Sequence, residues 1–166
     1  MHIGAALIVK NEEDLLGDLL IELNKFCKQI VVVDTCSTDK TPVIASKYGA
    51  ELYFYEWKKD FSSARNFGLD HIRTEWVLVI DADEFPDVNS ITGSADLLNN
   101  DETGGLNVNI KNYLDDAVSM HKYPRIFRNK KEIRFRGRIH EQISQSIRSA
   151  GYEIKDSSII LVRKSI

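Results

Sequence analysis

Trp76-Val77-Leu78-Val79-Ile80-Asp81-Ala82-Asp83-Glu84 runs from an apolar stretch straight into three carboxylates. A short, continuous apolar run is what a strand buried on both faces looks like, and such strands belong to parallel sheets covered by helices. Along an extended chain, residues i and i+2 share a face, so Asp81 and Asp83 can converge where the strand leaves the core. Two carboxylates held close repel one another, and a cation between them relieves the repulsion. Oxygen ligands favour Mg²⁺ or Mn²⁺, which keep positions open for substrate phosphates. The same acids also suit a solvated turn, because Asp is common after strands. The stretch alone leaves both open.

Upstream, strand-like and helix-like patterns alternate. Ile3 to Val9 is a second apolar run, and Asn11 is placed to cap a helix whose stripe is Leu15, Leu16, Leu19, Leu20 and Leu23. Gln29 to Asp34 is rich in β-branched residues and predicts a strand. Thr41 and Pro42 form an N-cap and N1 pair for a helix through Tyr48, which Gly49 stops. Glu51 to Tyr55 alternates as a strand, and Ser62 to Ile72 has helical periodicity. Three successive β-α units imply right-handed crossovers and an α/β fold, with a mostly parallel central sheet flanked by helices. Ligands collect at the carboxyl ends of such strands. Here those ends carry Lys10-Asn11-Glu12, Asp34-Thr35 and Asp81-Ala82-Asp83.

Beyond Pro86 the pattern weakens. Ile91 to Asn99 is expected as a helix, and Leu106 to Ile110, Val118 to Tyr123, Arg125 to Phe127 and Ile133 to Phe135 as short strands. There is no repeat or linker, so this half is expected to extend the same sheet as a short mixed or antiparallel addition. Residues 1–166 then form one domain, with one half over 1–85 and the other over 86–166.

The bulk properties remove several classes. At 166 residues, with 43% hydrophobic and 28% charged residues, the chain suits one soluble globular domain. A formal net charge of −3 leaves no global basic field, so nucleic acid is not an expected partner. Two cysteines, Cys27 and Cys36, are too few for a disulfide framework, and the expected setting is a reducing cytoplasm. The first apolar run is too short to span a membrane. Arg125, Arg128, Lys130, Lys131, Arg134, Arg136 and Arg138 make one region locally basic. That region suits attraction to a diphosphate or an anionic acceptor, and equally a solvated strand face.

Four blocks occur in order: Leu7-Ile8-Val9-Lys10-Asn11-Glu12-Glu13, Val31-Val32-Val33-Asp34-Thr35-Cys36-Ser37-Thr38-Asp39, Asp60-Phe61-Ser62-Ser63-Ala64-Arg65-Asn66 and Ile80-Asp81-Ala82-Asp83-Glu84. Together they resemble the family 2 glycosyltransferases, in particular the small bacterial branch that includes lipopolysaccharide-core glucosyltransferases. The resemblance implies a GT-A fold and a UDP-activated or other nucleotide-activated sugar donor. It also implies transfer with inversion to a glycan or glycolipid acceptor. Any membrane contact would then be peripheral and made through the substrate, at the inner face. Carried over by position, Val9 and Glu12 line the nucleotide pocket, and Asp34 and Arg65 contact the base. Asp81 and Ala82 lie at the donor, with Asp81 near the ribose or metal and Asp83 as the main ligand of a divalent Mg or Mn ion. On the residues alone, Arg65 is equally a surface salt-bridge partner of Asp60 or Glu56.

Tyr123-Pro124-Arg125-Ile126-Phe127-Arg128-Asn129 and Gly137-Arg138-Ile139-His140-Glu141 resemble later segments of the same branch. An inverting transferase needs a base for the acceptor hydroxyl, and a carboxylate is the usual choice. Glu141 is the candidate, Glu84 its rival, and His140 a candidate contact for the diphosphate or the metal. The branch pattern continues beyond its His-Glu pair, whereas here Ile159 to Val162 is followed by Arg163-Lys164-Ser165 and the end of the sequence. The resemblance thus makes 1–85 the nucleotide-sugar donor-binding half and 86–166 the acceptor-side half, which is expected to be truncated, and a non-catalytic nucleotide-sugar-binding module or an inactive fragment is the alternative.

Overall fold

The computed structural model describes residues 1–164; Ser165, cited above for the shortened acceptor side, lies outside them. The parallel part of the sheet is β1 (Ile3–Val9), β2 (Gln29–Asp34), β3 (Glu51–Phe54) and β4 (Trp76–Val79). The rest is β5 (Glu84–Pro86), β6 (Thr103–Leu114), β7 (Ala117–Arg128) and β8 (Glu153–Arg163). These eight strands form one sheet in the order β3-β2-β1-β4-β7-β6-β8-β5. β1, β2, β3 and β4 pair in parallel, β7 runs antiparallel to β4 and β6, and β8 runs parallel to β6. The fold is mixed α/β, and its second half supplies the longest strands.

The pleat distributes the apolar runs between two cores. β1 sends Ile3, Ala5, Leu7 and Val9 to one side, where Leu16, Leu19, Leu20 and Leu23 of α1 (Leu16–Leu23) cover them. Its Ala6 joins Val31, Val33, Val77 and Val79 on the other side, under Leu69 of α3 (Phe61–Leu69). Each fully buried Leu in the α1 stripe contributes about 1.5–3 kcal/mol. Alternation in β1, hidden in the sequence because both faces are apolar, thus becomes visible as two cores.

The local differences from expectation have local causes. Asn11 does not cap α1: the residue before that helix is Leu15, without a side-chain cap. Asn11 instead sits at φ 54°, and its side-chain oxygen accepts from the Thr38 N–H at 2.8 Å. Asn tolerates this left-handed region because its short polar side chain can bond locally. α2 (Thr41–Lys47) has Lys40 rather than Thr41 at its cap position, and the Thr41 hydroxyl accepts from the Glu12 N–H at 2.8 Å. Gly49, at φ 79°, ends the α2 segment as expected. The helix expected over Ile91 to Asn99 divides into α4 (Val88–Thr92) and a 3-10 turn (Ala95–Asn99).

Residues 118–127 are not two short strands but part of β7, whose antiparallel hairpin with β6 extends past Pro124 with one register shift, Leu106 facing Ile126 and Asn107 facing Pro124. Ile133 to Phe135 is not a strand. Asn66 occupies both backbone groups of Phe135, donating to its carbonyl at 3.0 Å and accepting from its N–H at 2.8 Å, so no ladder is needed. Arg134, Arg136 and Arg138 accordingly do not share a strand face, and Arg134 pairs with Asp70 at 3.1 Å. Arg128 is buried away from the site, over the Trp76 ring at 4.6 Å. α5 (Ser144–Ser149), which buries Ile147, is not among the elements expected from the sequence. Among the described residues no helix is long and apolar enough to cross a membrane.

Candidate active site

The carboxyl ends of β1, β2 and β4 meet as expected, and hydrogen bonds between loops fix their approach. The loop after β1 is joined to the loop after β2 from Asn11 N–H to the Ser37 hydroxyl at 2.9 Å. Asp39 accepts from the Glu13 N–H at 3.3 Å and from the Thr41 N–H at 2.9 Å. Thr38 and Asp39 therefore organise the loops. Glu12 is carried toward the acids after β4: burial, and then the charges of Asp83, Asp39 and Asp81, hold its carboxyl above its ordinary value.

Val9, Asp34 and Ala82, also expected at the donor, lie at the same strand ends. The Val9 side chain is buried in the core, and its carbonyl accepts from both the N–H and the hydroxyl of Thr35, each at 3.0 Å. Asp34 is 2% exposed, and its carboxylate accepts from the backbone N–H and the hydroxyl of Ser37. Ala82 turns its methyl into the same core as Val9. Trp57 packs edge-on against Phe61, with ring centres 4.8 Å apart.

The turn after β4 is closed from both sides. The Glu84 N–H donates to the Asp81 carbonyl at 3.0 Å, and the Asp81 N–H donates to Glu84 Oε2 at 3.0 Å. One ligand atom from each of Asp81, Asp83 and Glu84 lies within 4.8 Å of the others. The three are not equally available. Glu84 is 0% exposed, and its Oε1 accepts from Arg125 at 3.0 Å and Arg163 at 2.8 Å. Burial pushes the Glu84 carboxyl above its ordinary value against the pull of Arg125. Asp81 Oδ1 accepts from Arg65 at 2.8 Å. Burial would raise the Asp81 carboxyl too, but the guanidiniums of Arg65 and Arg125 outweigh it and hold the group below its ordinary value. Asp83 is the open member: its side chain is 41% exposed and its nearest charge, Arg163, stands at 3.5 Å.

Arg65 is not on the surface and pairs with neither Asp60 nor Glu56. Asp60 caps α3 instead, accepting from the Ser63 N–H at 3.1 Å. With its side chain 7% exposed, Arg65 donates through Nε to Glu141 at 2.9 Å and through Nη2 to Asp81. Its Nη1 is buried without a partner among the described residues. The predicted base and a predicted metal ligand, distant in sequence, are thus held by one guanidinium.

Beyond this junction opens a cleft of about 1150 Å³ between the β6–β7 hairpin and the segment leading into α5. Arg65, Asp81 and Glu141 lie in its wall, together with Tyr123, Arg125 and His140. His140 is exposed and stands outside the group formed by Asp81, Asp83 and Glu84. Glu12, Asp34 and Asp83 are not among the cleft residues, so the site has two sides that meet at Arg65 and Asp81. Sequence reasoning missed the arginine pair on Glu84. Arg125 lay inside a quoted motif, but its partner could not be read from local pattern, and Arg163 had no signal at all.

Comparison with known proteins agrees with this geometry. Residues 5–159 match the family described as Glycosyl transferase family 2. A TPR repeat-containing protein of Synechococcus elongatus is 33% identical over 154 residues, which is 89% of this chain and 38% of that protein. The crystal structure of S. aureus TarS 1-349 in complex with UDP-GlcNAc superposes with a TM-score of 0.75 at 20% identity, covering 100% of this chain and 60% of that one. The mannosyltransferase PcManGT of Pyrobaculum calidifontis, in complex with GDP-Man and Mn²⁺, gives 0.72 at 17% identity, covering 98% of this chain and 56% of that one. The chain therefore spans less than two thirds of the length of each of these relatives. The structural likenesses place the fold as GT-A.

Proposed function

This chain belongs to glycosyl transferase family 2, and we propose that it transfers a sugar from a nucleotide-diphosphate donor, a UDP-sugar, to a glycan or glycolipid hydroxyl with inversion. The observation that carries this is the closed turn after β4. It leaves Asp83 open to solvent beside Asp81, where the three strand ends meet. Complexes of the structural relatives with UDP-GlcNAc and with GDP-Man and Mn²⁺ support a donor of this class.

The residues present fit a divalent cation. Asp83 offers a half-exposed carboxylate with Arg163 at 3.5 Å and Asp81 one partly engaged by Arg65 and Arg125, whereas Glu84 is saturated by Arg125, Arg163 and the turn N–H. One or two carboxylates plus substrate phosphates is the usual way Mg²⁺ is held. Such an ion supplies Lewis-acid neutralisation of the departing diphosphate. The nucleotide would lie over the loops after β1 and β2, near Glu12 and Asp34. Arg65 would add its charge to the diphosphate side while orienting Glu141.

Glu141 serves as the base. Its Oε1 is occupied by Arg65 Nε, which leaves Oε2 to take the acceptor proton. The acceptor oxygen then bonds to the anomeric carbon as the bond from that carbon to the diphosphate oxygen breaks. The single displacement inverts the centre and releases the nucleoside diphosphate. The test is calorimetry of UDP with and without Mn²⁺. Wild type should bind in a metal-dependent manner, and Asp83→Ala should lose that binding while melting at an unchanged temperature. Metal-independent binding, or binding that survives Asp83→Ala, overturns the assignment.

A further inference from the structure

Building on the placement of Glu141 above, we propose that the cleft takes an acceptor bearing an anionic group, held between Arg148 and Arg125 beside the face of Tyr123. The distribution of charge within the cleft carries this. Its wall includes Arg65, Lys122, Arg125, Arg148 and Arg163, in a chain whose formal net charge is −3. Most of these cations are spoken for. Lys122 pairs with Asp156 at 3.0 Å, Arg163 with Glu84, and Arg65 with Asp81 and Glu141. The two carboxylates of the wall are both tied to Arg65, and Asp81 also stands 3.5 Å from Arg125.

Arg148 differs. It lies in the last turn of α5, is exposed, and has no ion-pair or hydrogen-bond partner among the described residues. The uncharged lining of the cleft includes Asn112, Ser119, Gln142 and Ser144. Arg125 is the second element. Its side chain is 15% exposed and Nη2 is anchored on buried Glu84 at 3.0 Å and faces Asp81 at 3.5 Å, while Nε and Nη1 have no partner among the described residues. A guanidinium already held in place loses little further freedom on binding, and its planar fork matches a phosphate or carboxylate. The Tyr123 ring, half exposed, lies 6.0 Å from the Arg125 guanidinium carbon and 6.4 Å from the His121 ring. It offers a flat apolar face for the sugar that carries the charge.

The test compares glucose, glucose 6-phosphate and glucuronate binding to the whole chain by calorimetry, with and without saturating UDP and Mn²⁺. UDP closes the diphosphate side to the phosphate probe. At least one anionic sugar should bind about tenfold or more tightly than glucose, and whichever does so identifies the anion class. Arg148→Gln, at an exposed position that does not endanger the fold, should reduce that affinity about tenfold and leave UDP binding intact. Lys131→Gln, a surface change outside the cleft, should have no effect. Equal binding of all three sugars, or an Arg148→Gln loss no larger than that of Lys131→Gln, overturns the proposal. Failure of UDP to bind wild type would instead overturn the donor assignment, and the measurements without UDP would still decide the cleft.

Discussion

Arg65→Met is the most informative single change, because it replaces a buried guanidinium with an apolar chain of similar length. The wild-type side chain makes two charge-assisted bonds, at 2.8 Å to Asp81 and 2.9 Å to Glu141. At an effective dielectric near 20, two unit charges about 4 Å apart attract by roughly 4 kcal/mol, but desolvation offsets much of this. Removing one partner of a buried pair typically costs about 3–5 kcal/mol, because the other charge is left uncompensated. Here Asp81 is 32% and Glu141 19% exposed, so both can partly rehydrate once Arg65 is gone. The expected loss is therefore about 2–3 kcal/mol, a large share of the roughly 5–15 kcal/mol that holds a domain of this size together.

Urea unfolding at pH 7 measures it, and a double-mutant cycle with Asp81→Asn isolates the pair. The coupling should be about 1–2 kcal/mol, with a similar value for the cycle with Glu141→Gln. A loss for Arg65→Met below about 0.5 kcal/mol, the range of exposed pairs, would refute the reasoning. So would coupling near zero in both cycles.

Acid should expose the opposite shifts of Asp81 and Glu84. The Asp81 carboxyl is depressed on folding, so its contribution is present above the unfolded value near pH 3.9 and is lost as pH falls through the lower folded value. Glu84 is raised, so the folded state takes up a proton first and gains stability as pH falls toward about 4.3. Asp81→Asn should therefore flatten the stability profile below about pH 4, and a profile parallel to wild type there would contradict the assignment. Gly104→Ala should be severe, because the new Cβ would lie 2.1 Å from the Tyr152 Cβ and 3.1 Å from Ile147 Cγ2. Forcing β6 from its neighbours should cost about 3 kcal/mol in urea unfolding, whereas Gly49→Ala, at φ 79° in open space, should cost about 1 kcal/mol.

Most of the first half of the fold was legible because its strands are short apolar runs flanked by helical stripes. The runs Ile3–Val9 and Gln29–Asp34 were placed to the residue, and the run from Trp76 ends one residue earlier than expected, at Val79. The second half was less legible. Strands β6 and β7 carry exposed apolar residues such as Tyr113, Val118 and Met120, so burial leaves no clean alternation to detect. Asn66 replaced a strand at Phe135 with side-chain hydrogen bonds, which no periodicity announces.

The sequence by itself determined that strand ends would gather carboxylates, and Asp81-Ala82-Asp83-Glu84 marked the place. Local order suffices for that, since a buried parallel strand must release its polar residues at its carboxyl end. Which carboxylate stays open was decided only by the tertiary structure. Glu84 is spent on Arg125 and Arg163, Asp81 is shared with Arg65, and Asp83 is left facing solvent. Those partners sit on β7, β8 and α3, and Arg65 meets Glu141 across a separation of 76 residues. Pairings over such distances depend on how the sheet carries its strands past one another, and a buried charge takes whichever counter-charge the packing brings within hydrogen-bond reach.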